Sequence, residues 1–244
     1  MSLTLATDDT GGPEIFASLQ GEGASIGRPV AFVRLSRCNL ACTWCDTAYT
    51  WHFEGDNRPH RDGVTFDRKA NQVVLDEADV AKRIAALGQN RLVITGGEPM
   101  LQAAALAKML DHLPDIEVEI ETNGTVKPPA RLDVRVDQFN VSPKLAHSGN
   151  SATQALIPDM LDFWADDPRA FLKFVIAEPA DLAEAMGLVD RHRHPKDRVY
   201  LMPEGTSGDV LSTRMRWLAP LAIRHGVRLT DRQHIHLFGD TRGT

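Results

Sequence analysis

Two periods of apolar residues take turns along this chain. Ala31–Arg37 (AFVRLSR) alternates apolar and polar positions, the period of a strand. Asp76 is a candidate N-cap for a helix carrying Val80, Ile84 and Leu87 on one face, with Gly88 as its stop. Leu92–Thr95 reads as a short strand ending in Gly96-Gly97. A helix is expected from Pro99, with Leu101, Ala105, Met109 and Leu113 on its apolar face. Val118–Thr122, Gln138–Ser142, Phe171–Ile176 and Val199–Met202 read as further strands, and Leu182–Arg193 as a helix. Leu211, Met215, Leu218 and Ala222 mark another helix that Pro220 should kink or shorten, and Ile235–Phe238 reads as a final strand. Such alternation implies crossover units and an α/β fold with a mostly parallel sheet. Functional loops then gather at the C-terminal ends of the strands. The segment at about 52–75, rich in Gly, Pro, Asn, Asp and Arg, has no clear period and reads as a loop-rich insertion or lid. Nothing else divides the chain, so residues 1–244 are expected to form a single domain.

Composition narrows the function classes. Lys and Arg number 27 against 33 Asp and Glu, a net charge of -6, which disfavours a grip on a nucleic-acid backbone. The local run Arg191, His192, Arg193, His194, Lys196 and Arg198 reads as a solvated helix end. No apolar run is long enough to span a membrane, and the opening MSLTLATDDTGG has no basic segment leading into an apolar one. The cytoplasm is the default expectation.

The chain has only three cysteines, all within eight residues: Cys38-Asn-Leu-Ala-Cys42-Thr-Trp-Cys45. An odd count in one cluster argues against a disulfide framework and for a metal site. Thiolates suit zinc or iron–sulfur clusters. Zinc would need a fourth ligand, for which His52 or His60 is available. An iron–sulfur cubane held by three thiolates leaves one iron open to an outside ligand.

The C-x3-C-x2-C spacing, with aromatic Trp44 before the last cysteine, resembles the signature of the radical S-adenosylmethionine (SAM) superfamily. The resemblance implies a [4Fe–4S] cluster whose open iron chelates SAM and delivers the electron that cleaves it to a 5′-deoxyadenosyl radical. It also implies an incomplete, modified (β/α)6 barrel. Thr95-Gly96-Gly97-Glu98-Pro99 resembles the superfamily's GGEP motif, in which glycines permit close backbone approach and a carboxylate suits the SAM ammonium. The same residues would also serve as a helix entry. Asn123-Gly124 and Ser142-Pro143-Lys144 follow in the order of later SAM-contacting loops.

Within the superfamily, the chain is similar to the 7-carboxy-7-deazaguanine synthase family. The resemblance is carried by Glu14–Gly23 (EIFASLQGEG), Phe32-Val33-Arg34-Leu35, Cys45-Asp46-Thr47 and Ser142-Pro143-Lys144. It implies a ring-contracting lyase that converts 6-carboxy-5,6,7,8-tetrahydropterin to 7-carboxy-7-deazaguanine with loss of ammonia, assisted by Mg2+. By the same resemblance, Leu19, Gln20, Gly21, Arg34 and Thr95 meet substrate, with Arg34 on its carboxylate. Trp44, Cys45, Asp46, Gly97, Glu98, Asn123, Ser142, Pro143 and Lys144 border SAM. Thr47 is the implied magnesium ligand, with a turn cap at Asp46-Thr47 as the plainer reading. Thr244 is a further candidate for the substrate site. A homodimer and a flavodoxin- or ferredoxin-like electron donor are implied partners. Two other readings stay open: a radical SAM activase acting on a protein partner, and a non-catalytic metal-binding module.

Overall fold

The computed structural model describes residues 2–244. Ten strands run β1 (Ser2–Ala6), β2 (Ile15–Leu19), β3 (Pro29–Leu35), β4 (Gln72–Asp76), β5 (Arg91–Gly96), β6 (Glu117–Thr122), β7 (Gln138–Val141), β8 (Ala170–Ile176), β9 (Val199–Pro203) and β10 (Arg228–Leu229). Six helices longer than a single turn accompany them: α1 (Glu77–Ala86), α2 (Ala103–Asp111), α3 (Pro158–Asp166), α4 (Pro179–Arg191), α5 (Gly208–His225) and α6 (Gln233–Phe238).

All ten strands join one sheet in the order β10-β9-β8-β7-β6-β5-β3-β1-β4, with β2 also on β3. From β3 through β5–β9 to β10 every pairing is parallel, while β1, β2 and β4 add antiparallel pairs at one side. Among the described residues β10 and β4, the ends of the order, do not pair, so the barrel stays incomplete, as expected.

The period of two along each strand sorts its residues between two environments. Ala31, Val33, Leu35, Leu92, Ile94, Val118, Ile120, Phe139, Val141, Leu172 and Phe174 belong to the large core, together with Leu106 and Leu110 of α2 and Leu182 and Val189 of α4. The alternate positions, among them Arg34, Thr95, Glu121 and Lys173, line a cavity on the other face.

The N-cap Asp76 is as expected: its side chain accepts from the Ala78 amide at 3.1 Å. Four expectations need correction. Ile235–Phe238 is helical, within α6, and not a final strand. Pro220 lies inside α5, which continues to His225, because this proline sits on the exposed side, where an unpaired carbonyl reaches water. Leu101 is 46% exposed, since Pro99–Gln102 form a 3-10 turn that offsets it from the face of α2. The 52–75 segment is also more ordered than its composition implies. A Phe53–Phe66 bridge closes its loop, and Gln72–Asp76 pairs with β1. No helix among the described residues is long and apolar enough to cross a membrane.

His194, just after α4, is 4% exposed and neither ring nitrogen has a partner among the described residues. Burial, helped by nearby Arg198, pushes its pKa down to about 4. The unfolded chain therefore binds this proton more readily than the folded one. His194 costs no stability above about pH 6.5, and stability falls as pH drops from there towards 4. Between pH 7 and pH 5 the wild type should lose roughly 2 kcal/mol more than His194→Leu. Urea denaturation of both proteins at the two pH values measures this difference; equal losses would refute the assignment.

Candidate active site

The strand C-termini open onto a cavity of about 440 Å³. The structure brings together on its lining Leu19, Gln20, Gly21, Arg34, Cys38, Cys42, Trp44, Cys45, Asp46, Thr47, Thr95, Gly97, Asn123, Ser142, Lys144 and Thr244. Two expected residues, Glu98 and Pro143, are outside it.

Glu98 is fully buried, and its carboxylate ties elements together. One oxygen accepts from the Met100 amide at 3.0 Å and the Thr122 hydroxyl at 2.8 Å; the other accepts from the Asn123 amide at 2.8 Å. It caps the turn after β5 and locks that turn to β6, the part a helix entry requires. Pro143 is buried between Ser142 and Lys144, which do face the cavity. Gly96 and Gly97 answer a close approach of protein to protein. A Cβ on Gly96 would lie 2.1 Å from the Leu35 carbonyl oxygen, and one on Gly97 1.8 Å from that of Arg37. The double glycine lets β5 pass under the start of the cysteine loop.

The three cysteines follow β3 on that loop, and a polar group of the chain lies near each sulfur. Asn150 Nδ2 is 3.3 Å from Cys42 Sγ, Thr47 Oγ1 is 3.6 Å from Cys45 Sγ, and Asn123 Nδ2 is 4.0 Å from Cys38 Sγ. Burial pushes the Cys38 thiol up to about 12 and the Cys42 thiol up to about 11, and raises Cys45 as well. Thiolates here need positive charge beside them, which the irons of a cluster supply. Beside Cys45, Trp44 stacks on His147 at 5.3 Å, and its indole nitrogen is buried without a partner among the described residues. Zinc fits less well. His60 uses both ring nitrogens within the chain: Nε2 lies 2.8 Å from the Cys45 carbonyl and Nδ1 3.4 Å from the Asp62 amide. His52 Nδ1 lies 2.8 Å from the Val64 carbonyl. Among the described residues no three His, Cys, Asp or Glu side chains converge as one ion requires. A cubane gives each thiolate its own iron and does not need that convergence.

Thr47 begins the Ala48–Thr50 turn, but its side chain does not cap it. The hydroxyl is left to Cys45 and the cavity.

Arg34 projects from the inward face of β3. Its Nε donates to Glu14 at 2.7 Å, and the Tyr49 hydroxyl donates to the same carboxylate at 3.0 Å. Glu14 thereby fixes one edge of the guanidinium while Arg34 still lines the cavity. Gln20 lies on the lining with its side chain tied to the chain. It is 3% exposed, and its amide nitrogen donates to Glu119 at 2.7 Å and Glu121 at 3.2 Å. Its oxygen accepts from the Glu22 amide at 3.2 Å. These bonds occupy the Gln20 amide and leave it as part of the cavity floor. Gly21 packs against α6: a Cβ there would be 2.3 Å from His234 Nδ1.

Sequence reasoning missed a charged floor. Lys173 Nζ bridges Glu22 at 2.6 Å and Glu121 at 2.7 Å. Arg232 holds Glu22 at 3.0 Å, the Gly205 carbonyl at 2.6 Å, and Asp46. Burial opposes charge on Lys173, but Glu121 and Glu22 hold it protonated above the usual lysine range. Burial likewise opposes charge on Glu22, which Lys173 and Arg232 hold well below the carboxylate range. Lys173 sits at a cavity-facing position of an otherwise apolar strand, and Glu121 is the last of three glutamates alternating with apolar residues in β6, signals that period-two reading can detect. Arg232 had no such mark. The tail returns to the mouth, where the Arg242 guanidinium lies 3.6 Å from the centre of the Tyr49 ring and Thr244 joins the lining.

An open parallel barrel with three clustered thiols at the strand C-termini defines a radical SAM protein, and the model of the Radical SAM superfamily matches residues 33–145. The chain belongs to the 7-carboxy-7-deazaguanine synthase family. It is 38% identical over 232 residues to the 7-carboxy-7-deazaguanine synthase of Pyrobaculum aerophilum, covering 94% of this chain and 95% of the relative. It is 34% identical to that of Rhodopirellula baltica, over 95% and 87% of the two chains. The crystal structure of QueE from Escherichia coli superposes with a TM-score of 0.66 at 26% identity, over 96% of this chain and 95% of the other. The family implies a [4Fe–4S] cluster and SAM, which the donor set above fits.

Proposed function

We propose that this chain converts 6-carboxy-5,6,7,8-tetrahydropterin to 7-carboxy-7-deazaguanine with loss of ammonia, in deazapurine biosynthesis. The observation that carries the reading is the placement of the three cysteines, Arg34 and Thr95 around one cavity, in a chain related over nearly its whole length to synthases of that name. The cluster and SAM supply the hydrogen-abstracting radical when bound. Cys38, Cys42 and Cys45 hold the cluster, and Trp44, Asp46, Gly97, Asn123, Ser142 and Lys144 border SAM.

The chain's own part is to bind, orient and exclude water. Arg34, braced by Glu14, receives the substrate carboxylate, because a guanidinium presents paired donors to paired oxygens. Thr95 faces Arg34 across the β3–β5 register and borders the ring, with Leu19 and Gly21 closing that side. Thr244 and the returning tail narrow the mouth. A homodimer supplied with electrons by a flavodoxin- or ferredoxin-like protein completes the proposal, on the strength of the family resemblance.

Thr47 is proposed to ligate Mg2+ together with substrate oxygens and water, since one hydroxyl alone is a weak site. Thr47→Ala should raise the magnesium concentration needed for half-maximal rate while the cluster spectrum stays unchanged. A magnesium response identical to the wild type would remove Thr47 from the ion. The overall reading is tested by anaerobic reconstitution and turnover of the carboxypterin with SAM and a reductant. Mass spectrometry should find 7-carboxy-7-deazaguanine. A preparation that cleaves SAM yet never forms it would refute the substrate assignment.

A further inference from the structure

The 52–75 insertion gives Phe66 to the cavity lining and also grips the cysteine loop. His60 Nε2 donates to the Cys45 carbonyl at 2.8 Å. The Asp62 amide approaches Nδ1 at 3.4 Å, so the ring is held from both sides. The His60 side chain is 4% exposed, although it sits on a loop. Next to it, the Arg61 amide donates to the Thr43 carbonyl at 2.8 Å. Two consecutive insertion residues thus hold backbone carbonyls of two residues within the Cys42–Cys45 turn.

The insertion is anchored at both ends of this grip. Its base is closed by Phe66, whose amide donates to the His52 carbonyl at 3.0 Å, and by the Glu54 amide on the Phe66 carbonyl at 3.0 Å. On the far side Arg61 reaches across to Glu204, just beyond β9, at 2.5 Å, and Arg214 holds the same carboxylate. Trp51 and His52 pack on the His60 ring at centroid distances of 6.5 and 5.7 Å.

We propose that the insertion is a strap over the cysteine loop, with His60 as a positioning residue that fixes the Cys45 backbone, and Arg61–Glu204 as its clasp. The proposal rests on the reading of Cys38, Cys42 and Cys45 as cluster ligands. Partners one step removed from a metal's ligands control its orientation and solvent access, and their loss typically costs 10- to 100-fold in metal affinity or activity. An iron–sulfur cluster is further tuned by hydrogen bonding and solvent exposure around its sulfurs.

The test uses the whole chain, reconstituted anaerobically without SAM, and follows loss of cluster absorbance after exposure to air. His60→Ala should bleach about tenfold faster than wild type or more, with wild-type circular dichroism. His60→Gln, which can return a donor to the Cys45 carbonyl, should recover most of the difference. Arg61→Ala, which opens only the clasp, should fall between. Bleaching of His60→Ala within twofold of wild type overturns the proposal. So does a His60→Gln variant as labile as His60→Ala. If His60→Ala does not fold, Arg61→Ala decides, and bleaching equal to wild type then overturns it. A wild type that takes up no iron would instead overturn the cluster reading itself.

Discussion

Replacing Cys38, Cys42 or Cys45 by alanine is expected to abolish SAM cleavage and product formation outright. Wild type should take up about four irons per chain, the cubane stoichiometry, and each variant far fewer. The structure explains why no substitute ligand is at hand. The three cysteines line one cavity, and His60, against the Cys45 carbonyl, is committed through both ring nitrogens to that carbonyl and the Asp62 amide. Removing one thiol leaves an iron facing a methyl group, with water unable to replace a thiolate's charge. Iron analysis and anaerobic absorbance spectra check this for each variant. Stoichiometric zinc in the wild type, with no iron-dependent absorbance, would contradict it.

Arg34→Ala is expected to keep the cluster and SAM binding but lose most turnover of the carboxypterin. Truncating a buried, hydrogen-bonded cation that meets a carboxylate costs about 2–5 kcal/mol, or roughly 30- to several-thousand-fold in rate or affinity. The structure adds a second effect to separate. Arg34 also neutralises Glu14, a carboxylate 1% exposed whose other partner is the Tyr49 hydroxyl. Arg34→Ala therefore strands a buried charge and should lower the melting temperature as well. Pairing it with Glu14→Gln removes that charge. The double variant should recover stability without recovering turnover. A pterin lacking the carboxylate should be a poor substrate for wild type and should distinguish wild type from Arg34→Ala far less. Turnover of the natural substrate by Arg34→Ala at the wild-type rate would show that Arg34 serves Glu14 alone.

The sequence by itself determined the alternation of strands and helices, the parallel sheet and the loops that carry the chemistry. It did so because burial on a sheet obeys a period of two and on a helix about 3.6, and because three cysteines at C-x3-C-x2-C have few alternative uses. Local rules failed where the decision lay elsewhere. Ile235–Phe238 reads as a short strand, but Ile235 is buried from a helix whose His234 packs on Gly21. Pro220 would break an isolated helix, and α5 tolerates it on an exposed side.

Only the tertiary structure decided which of two chemically suitable groups faces the cavity. Glu98 is tied to the Met100 and Asn123 amides and the Thr122 hydroxyl, the last two from the end of another strand. The Gln20 amide nitrogen is held by Glu119 and Glu121, about a hundred residues away in sequence. Gly97 is required by the Arg37 carbonyl, a contact between two strand ends. Arg232, far from every motif, becomes the brace of Glu22 and Asp46 because α6 folds back over the mouth. A polar side chain's role is set by whichever partner arrives within hydrogen-bonding distance. For Gln20, Arg34 and Arg232 such partners come from distant parts of the chain, which no local pattern encodes.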